Sequence, residues 1–180
     1  MPEPAPPAVA YVAVGSNIEP RKNIPAALAL LREHVTVAGV STFYRSAAVG
    51  PDGRTNRAQS DFVNGVFEVR ATPPPRELKY GVLRRIEERL GRVRTADKFA
   101  PRTIDLDVAL YGDDVIDEPD LKLPAPDIAR PFVAVPLLEL APDLVLPHTH
   151  EPLSCLWRGG VAGLTADAEL TRALKEICQR

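Results

Sequence analysis

Apolar and polar positions alternate without a break between Thr103 and Tyr111. Ile104, Leu106, Val108 and Leu110 fall on one face of a strand, and Thr103, Asp105, Asp107, Ala109 and Tyr111 on the other. This period of two predicts a half-buried strand, which Gly112 ends. Asp105 and Asp107 then project from one face with their Cα atoms roughly 6.5–7 Å apart. Elsewhere the pattern is more varied. Val9 to Val14 is a continuous apolar run and predicts a buried strand, broken at Gly15, Ser16 and Asn17. Ile24, Leu28 and Leu31 recur at helical spacing, and Pro25 suits a first turn if the helix starts near Asn23. Val35 to Arg45 predicts a second strand, Ala47 to Ser60 a long polar loop, and Asp61 to Arg70 a third strand. On this third strand Phe62, Asn64, Val66, Glu68 and Arg70 share a face. Thr72 is placed to cap a helix in which Leu78, Val82, Ile86 and Leu90 recur every fourth residue, with Glu87 on its polar side and Gly91 as its stop.

After the Asp-bearing strand, Val115-Ile116 and Leu121 to Leu123 predict a small hairpin, Phe132 to Leu140 a short helix, and Asp167 to Cys178 an amphipathic helix. Four strands and two long helices in the order strand-helix-strand-strand-helix-strand predict an α+β fold. Its form is a ferredoxin-like βαββαβ sandwich with an antiparallel sheet, helices on one face, and C-terminal helical additions. Asp105, Asp107, Asn64 and the two long loops are then expected on the free face.

With 180 residues the chain is expected to form one domain over 1–180, with a flexible Pro-rich N-terminus at 1–7. A formal net charge of −2 supplies no bulk field for nucleic acid or an anionic membrane, so phosphate chemistry must rest on local clusters. No apolar run is long enough to span a membrane, and Met1 to Pro7 lacks a signal-peptide pattern. Cys155 and Cys178 lack metal-ligand spacing and read as reduced thiols, which suits a cytoplasmic location. His148 and His150 flank Thr149 without an evident third metal ligand, so no metal is assigned to them.

Arg92, Arg94, Lys98 and Arg102 crowd the loop just before Asp105, opposed only by Asp97. Guanidinium groups grip phosphate oxygens in one plane, and two hard carboxylates on one face suit Mg²⁺. The Asn64 amide offers a paired donor and acceptor to a heterocycle, or simply faces solvent. The residues by themselves therefore point to Mg²⁺-dependent transfer of a phosphate-containing group. There is no P-loop or kinase signature.

The stretch Pro101-Arg-Thr-Ile-Asp-Leu-Asp-Val-Ala-Leu-Tyr-Gly112 resembles the signature of the 6-hydroxymethyl-7,8-dihydropterin pyrophosphokinases of the folate pathway. The likeness extends through Ala10–Asn17, Ser41–Arg45, Asp61–Asn64, Gly91–Arg94, Arg130–Val133 and Pro136–Pro142, in matching order. It implies transfer of the β,γ-pyrophosphate of ATP to the pterin hydroxymethyl oxygen, with release of AMP. By motif, Asp105 and Asp107 resemble ligands of two Mg²⁺ ions. Arg92 and Arg102 resemble the arginines of a closing loop and, with the two aspartates, make up the implied catalytic set. Glu87, Arg94, Lys98, Arg102, Val108, Lys122 and Arg130 match the ATP side. Ser46, Ala48, Val49, Phe62, Asn64 and Phe132 match the pterin side, with Phe132 stacking on the ring. The segments Ala47 to Ser60 and Arg92 to Arg102 match two mobile loops. A monomer is implied, with association with other folate-pathway enzymes left open.

The chain departs from the family pattern at several points. Ala125 stands where the family usually has His, Thr95 where a basic residue is common, Phe99 for Trp and Ala100 for Gly, and the loop 47–60 is longer. Arg54, Arg57 or Lys122 could make good the lost imidazole. Rival readings are a diverged transferase with another acceptor, a non-catalytic pterin- or nucleotide-binding module, and a palm-like nucleotidyl transferase.

Overall fold

The computed structural model describes residues 6–161 and 163–180, so most of the N-terminal segment expected to be flexible lies outside the described residues. In chain order the first half comprises β1 (Ala8–Ser16), α1 (Pro20–Leu31), β2 (Thr36–Val40), β3 (Tyr44–Ser46) and β4 (Phe62–Ala71). Then α2 (Pro75–Glu77) runs through a π-helical stretch (Leu78–Leu83) into α3 (Arg84–Arg89). The second half adds β5 (Asp105–Tyr111), the hairpin β6 (Ile116–Asp117) and β7 (Lys122–Leu123), α4 (Pro131–Leu140), α5 (Leu153–Leu156), β8 (Thr165–Ala166) and α6 (Ala168–Gln179).

The sheet runs β5-β1-β4-β3-β8, with β2 also on β4, and all these pairs are antiparallel. This is the expected ferredoxin-like order. The apolar β1 lies between β4 and β5, and both its faces are covered. One core packs Val12, Phe67, Val69, Ile104, Leu106 and Val108 against α1, the helical run 75–89 and α6. A second packs Tyr11, Val66, Ala109 and Leu110 against α4 and α5. The expectation of helices on one face only is therefore corrected. The far face carries enough apolar side chains to need its own cover, and α4 and α5 supply it.

Several boundaries are corrected for local reasons. Gly15 and Ser16 continue β1 rather than breaking it, since both pair with neighbouring strands. The expected second strand is divided: Ser41 Oγ accepts the Val66 N–H at 2.9 Å, and Phe43 turns wholly into the core. Helix α1 begins at Pro20, leaving Pro25 inside it, and Thr72 does not cap the later helix, which starts at Pro75. A bulge leaves Ala109 unpaired on β5, because Tyr11 faces Leu110 while Val12 faces Val108. Past this point the alternation inverts, so Leu110 joins the second core and Tyr111 the first.

Asp167 ties the C-terminal helix down. Its carboxylate caps the Leu170 N–H at 3.1 Å and meets Arg45 at 2.7 Å and Arg21 at 3.1 Å. A carboxylate so deeply buried is tolerable because its oxygens are satisfied.

Candidate active site

The ends of β1, β4 and β5 bring Gly15, Asn64, Asp105 and Asp107 together, and the first turn of α4 adds Phe132. Ser16 and Asn17 anchor the start of β5: Ser16 Oγ donates to Thr103 O at 2.6 Å and Asn17 Oδ1 accepts the Arg102 N–H at 2.8 Å. Two clefts adjoin here. One, of about 400 Å³, is lined by Asp105, Asp107, Glu87, Arg94 and Lys79 among others. The other, of about 480 Å³, is lined by Ser46, Val49, Phe62, Lys98 and Arg102. Gly15, Asn64, Asp105, Asp127 and Phe132 belong to both, so they form the shared wall. The alternation along β5 does what the sequence implies: Asp105 and Asp107 are half-exposed on one face, with side chains 38% and 46% accessible.

The basic loop closes over Asp105. Arg102 Nη1 donates to Asp105 Oδ2 at 2.6 Å, Arg102 Nη2 to Lys98 O at 2.5 Å, and the guanidinium stands 5.8 Å from the centre of the Phe62 ring. Arg92 Nη2 lies 3.8 Å from Asp105 Oδ1. Arg94 pairs with Glu87. These cations are thus not opposed by Asp97 alone, which corrects the sequence expectation. Nε and Nη1 of Arg92 and Nε of Arg102 are nonetheless buried without a hydrogen-bond partner. Burial also pushes the Arg92 pKa down, with Asp105 opposing the shift. Buried N–H groups without acceptors are costly. Placed beside a cleft, they suit an incoming polyanion.

Glu87 corrects another expectation. It is buried rather than on a polar side: Oε1 accepts the Leu106 N–H at 2.8 Å, and Oε2 accepts from Arg94. Burial raises its pKa, which the Leu106 hydrogen bond opposes. It therefore braces the strand that bears the aspartates. Asp107 accepts the Val108 N–H at 3.0 Å, and burial raises its pKa against the pull of Lys79.

The remaining expected residues divide. Arg92, Arg94, Lys98 and Arg102 line a shallower cavity beside Asp105. Val108 points its side chain into the core on the opposite face, so its side chain is not in the cleft. Ala48 is buried, its carbonyl accepting the Asn56 N–H at 2.7 Å. Lys122 pairs with Asp117 on the outer hairpin, and Arg130 is an exposed residue before α4. Ala125 does line the first cleft, held by its N–H to Ala109 O at 2.8 Å, and offers no side-chain donor there. Thr95 is exposed and donates to Asp97 O at 3.2 Å.

Four residues of the site were missed in the sequence. Lys79 contacts Asp107 at 3.2 Å. Asp127 lies in the shared wall, with its pKa raised by burial. Asn17 Nδ2 donates to Gln59 Oε1 at 3.2 Å, and Gln59 Nε2 donates to Phe99 O at 2.7 Å. Gln59 thus joins the two long loops. The polar Asn17 directly after an apolar strand was the one available signal.

Asp105 and Asp107 present hard oxygen donors toward the cleft, with no cluster of three or more His, Cys, Asp or Glu placed for a metal among the described residues. Such a donor set fits Mg²⁺, which keeps waters and binds through one or two carboxylates plus substrate phosphates. Among the described residues no helix is long and apolar enough to cross a membrane.

Residues 11–142 match the family model for 7,8-dihydro-6-hydroxymethylpterin-pyrophosphokinase. A 2-amino-4-hydroxy-6-hydroxymethyldihydropteridine pyrophosphokinase of Pseudomonas aeruginosa is 43% identical over 157 residues, covering 83% of this chain and 93% of the relative. The one of Synechocystis sp. is 41% identical over 151 residues, covering 80% and 72%. A folic acid synthesis protein of Schizosaccharomyces pombe is 38% identical over 149 residues, which are 81% of this chain and 19% of that protein. In fold, the chain resembles the Plasmodium falciparum HPPK-DHPS structure with pterin and p-hydroxybenzoate, at a TM-score of 0.67 and 13% identity. That match covers 90% of this chain and 43% of the other, so the chain spans less than half of it. By the extent of the family match and the identity to these relatives, the chain belongs to the 7,8-dihydro-6-hydroxymethylpterin-pyrophosphokinase family.

Proposed function

We propose that the chain moves the β,γ-pyrophosphoryl group of ATP to the hydroxymethyl oxygen of 6-hydroxymethyl-7,8-dihydropterin, releasing AMP, as a step of folate biosynthesis. The observation that carries this reading is the shared wall. Asp105 lines both clefts, and Asn64 and Phe132 stand beside it. A nucleotide in one cleft and a pterin in the other would present their reacting ends to each other across Asp105. Binding both in that way turns a bimolecular encounter into a positioned one.

Asp105 and Asp107 would hold two Mg²⁺ ions, whose charge would stabilise the negative charge growing on the triphosphate. Arg92 and Arg102, with N–H groups lacking acceptors, donate to phosphate oxygens. Arg94 and Lys98 add positive charge around the same loop. Asn64 reads the edge of the pterin through its amide, while Phe132 and Phe62 cover its faces. Ser46 and Val49 complete that cleft. The Asn17–Gln59–Phe99 links hold the two loops over the site, where they exclude water. Glu87 steadies the aspartate strand from below.

The reading extends to a single pyrophosphokinase domain that acts as a monomer. It is placed in the cytoplasm, in keeping with two free cysteines. Purified chain, ATP, Mg²⁺ and the pterin, with products separated by chromatography, test it. AMP and pterin diphosphate should appear together and only with both substrates and metal. ADP in place of AMP would refute the proposed transfer.

A further inference from the structure

The first cleft contains a cation that the reaction described above leaves without a role. Lys79 Nζ lies 3.2 Å from Asp107 Oδ1, on a side chain only 25% exposed. Its position depends on an irregularity of the helix. Between Leu78 and Leu83 the backbone is π-helical, and the Arg84 N–H donates to Lys79 O, five residues back instead of four. The widened turn lets Leu78, Val82 and Leu83 all be buried while Lys79 faces the cleft. Nζ also stands 5.9 Å from the centre of the Tyr80 ring, which restricts where the ammonium can settle.

The two aspartates are therefore each held by one close cation, Asp105 by Arg102 at 2.6 Å and Asp107 by Lys79 at 3.2 Å. A divalent cation on Asp107 would share that carboxylate with the ammonium and repel it. Lysine suits such an exchange, since its charge is a compact point on a flexible stem. A displaced ammonium would remain in the same cleft, where it faces the polyanion that accompanies the metal. Ala125, on the wall of that cleft, provides no competing donor.

We propose that Lys79 is the internal counter-ion of the metal site. It holds Asp107 while the metal is absent, gives way to the metal, and then donates to the triphosphate. This rests on the reading of Asp105 and Asp107 as metal ligands. Lys79 is thus a positioning residue in the free enzyme and a phosphate contact in the loaded one.

The test uses Mn²⁺ as probe with wild type, Lys79→Met and Lys79→Arg. Free Mn²⁺ is followed by electron paramagnetic resonance, and binding of a non-hydrolysable Mn²⁺–ATP analogue by calorimetry. Methionine keeps the length of the side chain in a partly exposed position, and a melting curve establishes that the variant is folded. Losing a hydrogen bond to a charged group is expected to change binding about tenfold in each experiment. Lys79→Met should bind Mn²⁺ alone more tightly by that factor and the Mn²⁺–analogue complex more weakly, while Lys79→Arg behaves as wild type. Unchanged or weaker Mn²⁺ binding by the folded Met variant would overturn the counter-ion role, and unchanged analogue binding the phosphate contact. Asp107→Ala is the control: if it leaves Mn²⁺ binding intact, the metal assignment itself fails, independently of Lys79.

Discussion

The amide oxygen of Asn64 occupies the space in which a side chain on Gly15 would stand. A Cβ at Gly15 would lie 2.7 Å from Asn64 Oδ1, a distance real Cβ contacts essentially never show. The two residues are direct partners across β1 and β4. The glycine that reads in sequence as a strand breaker is thus the floor on which the proposed pterin-reading amide lies. Gly15→Ala should push that amide aside while leaving the core intact. The cost expected is about tenfold in pterin affinity, the worth of one good hydrogen bond. Pterin binding measured by fluorescence, beside an unchanged ATP affinity, checks it.

Arg102 has a different kind of importance. It joins Asp105, Lys98 O and the Phe62 ring, and it retains a buried N–H without an acceptor. Arg102→Ala should lower turnover by on the order of 10²–10³-fold, the usual loss for one preorganised donor to developing negative charge. Arg102→Lys should recover only part of this, because a point charge cannot fork between two oxygens. Steady-state kcat for the two variants measures the effect.

Gln59 is expected to couple the loops. Its side chain accepts from Asn17 and donates to Phe99 O, across 42 and 40 residues of sequence. Gln59→Ala removes both contacts, each worth about 1 kcal/mol. Amide hydrogen exchange should then quicken in 47–60 and 92–102 together, while exchange in β1 and β4 is unchanged. Faster exchange in one loop alone would mean the loops move independently.

Much of this site was legible because β5 is strictly alternating up to Asp107, and alternation fixes which side chains share a face. The same rule failed three residues later. The bulge at Ala109 depends on pairing with Tyr11 and Val12, which no local pattern encodes, so Leu110 and Tyr111 were assigned to the wrong faces. The polar-side placement of Glu87 fails, and Lys79 escapes notice, for a related reason. Spacing by four assumes a regular helix, whereas the π-helical turn shifts the angular position of residues on either side. That turn is stabilised by tertiary burial of Val82 and Leu83, which is absent from any local window. Thr72 had the chemistry of a cap, but the prolines that follow delayed the helix to Pro75.

Tyr44 gives the fold a measurable response to alkali. Its hydroxyl donates to Glu139 on α4, and burial, followed by that hydrogen bond, pushes its pKa up to about 12 from 10.0. Between those values the folded chain keeps a phenol proton that the unfolded chain releases. The stability this contributes is full below pH 10.0 and is lost as pH rises toward about 12. The unfolding free energy, measured with denaturant, should fall more steeply with pH across this range in wild type than in Tyr44→Phe. An ultraviolet titration in which Tyr44→Phe removes no late-titrating phenol would contradict the assignment.

The most direct test of the proposed chemistry is the rate of AMP release by Asp107→Ala over a range of Mg²⁺ concentrations, with its melting curve alongside. Asp107 is half-exposed in the cleft and outside both cores, so its loss should leave the melt close to wild type. Turnover should fall by on the order of a thousandfold or more and stay low as Mg²⁺ is raised. A folded Asp107→Ala protein releasing AMP at near wild-type rate would contradict the placement of the metal on β5, and with it the catalytic role of the paired aspartates.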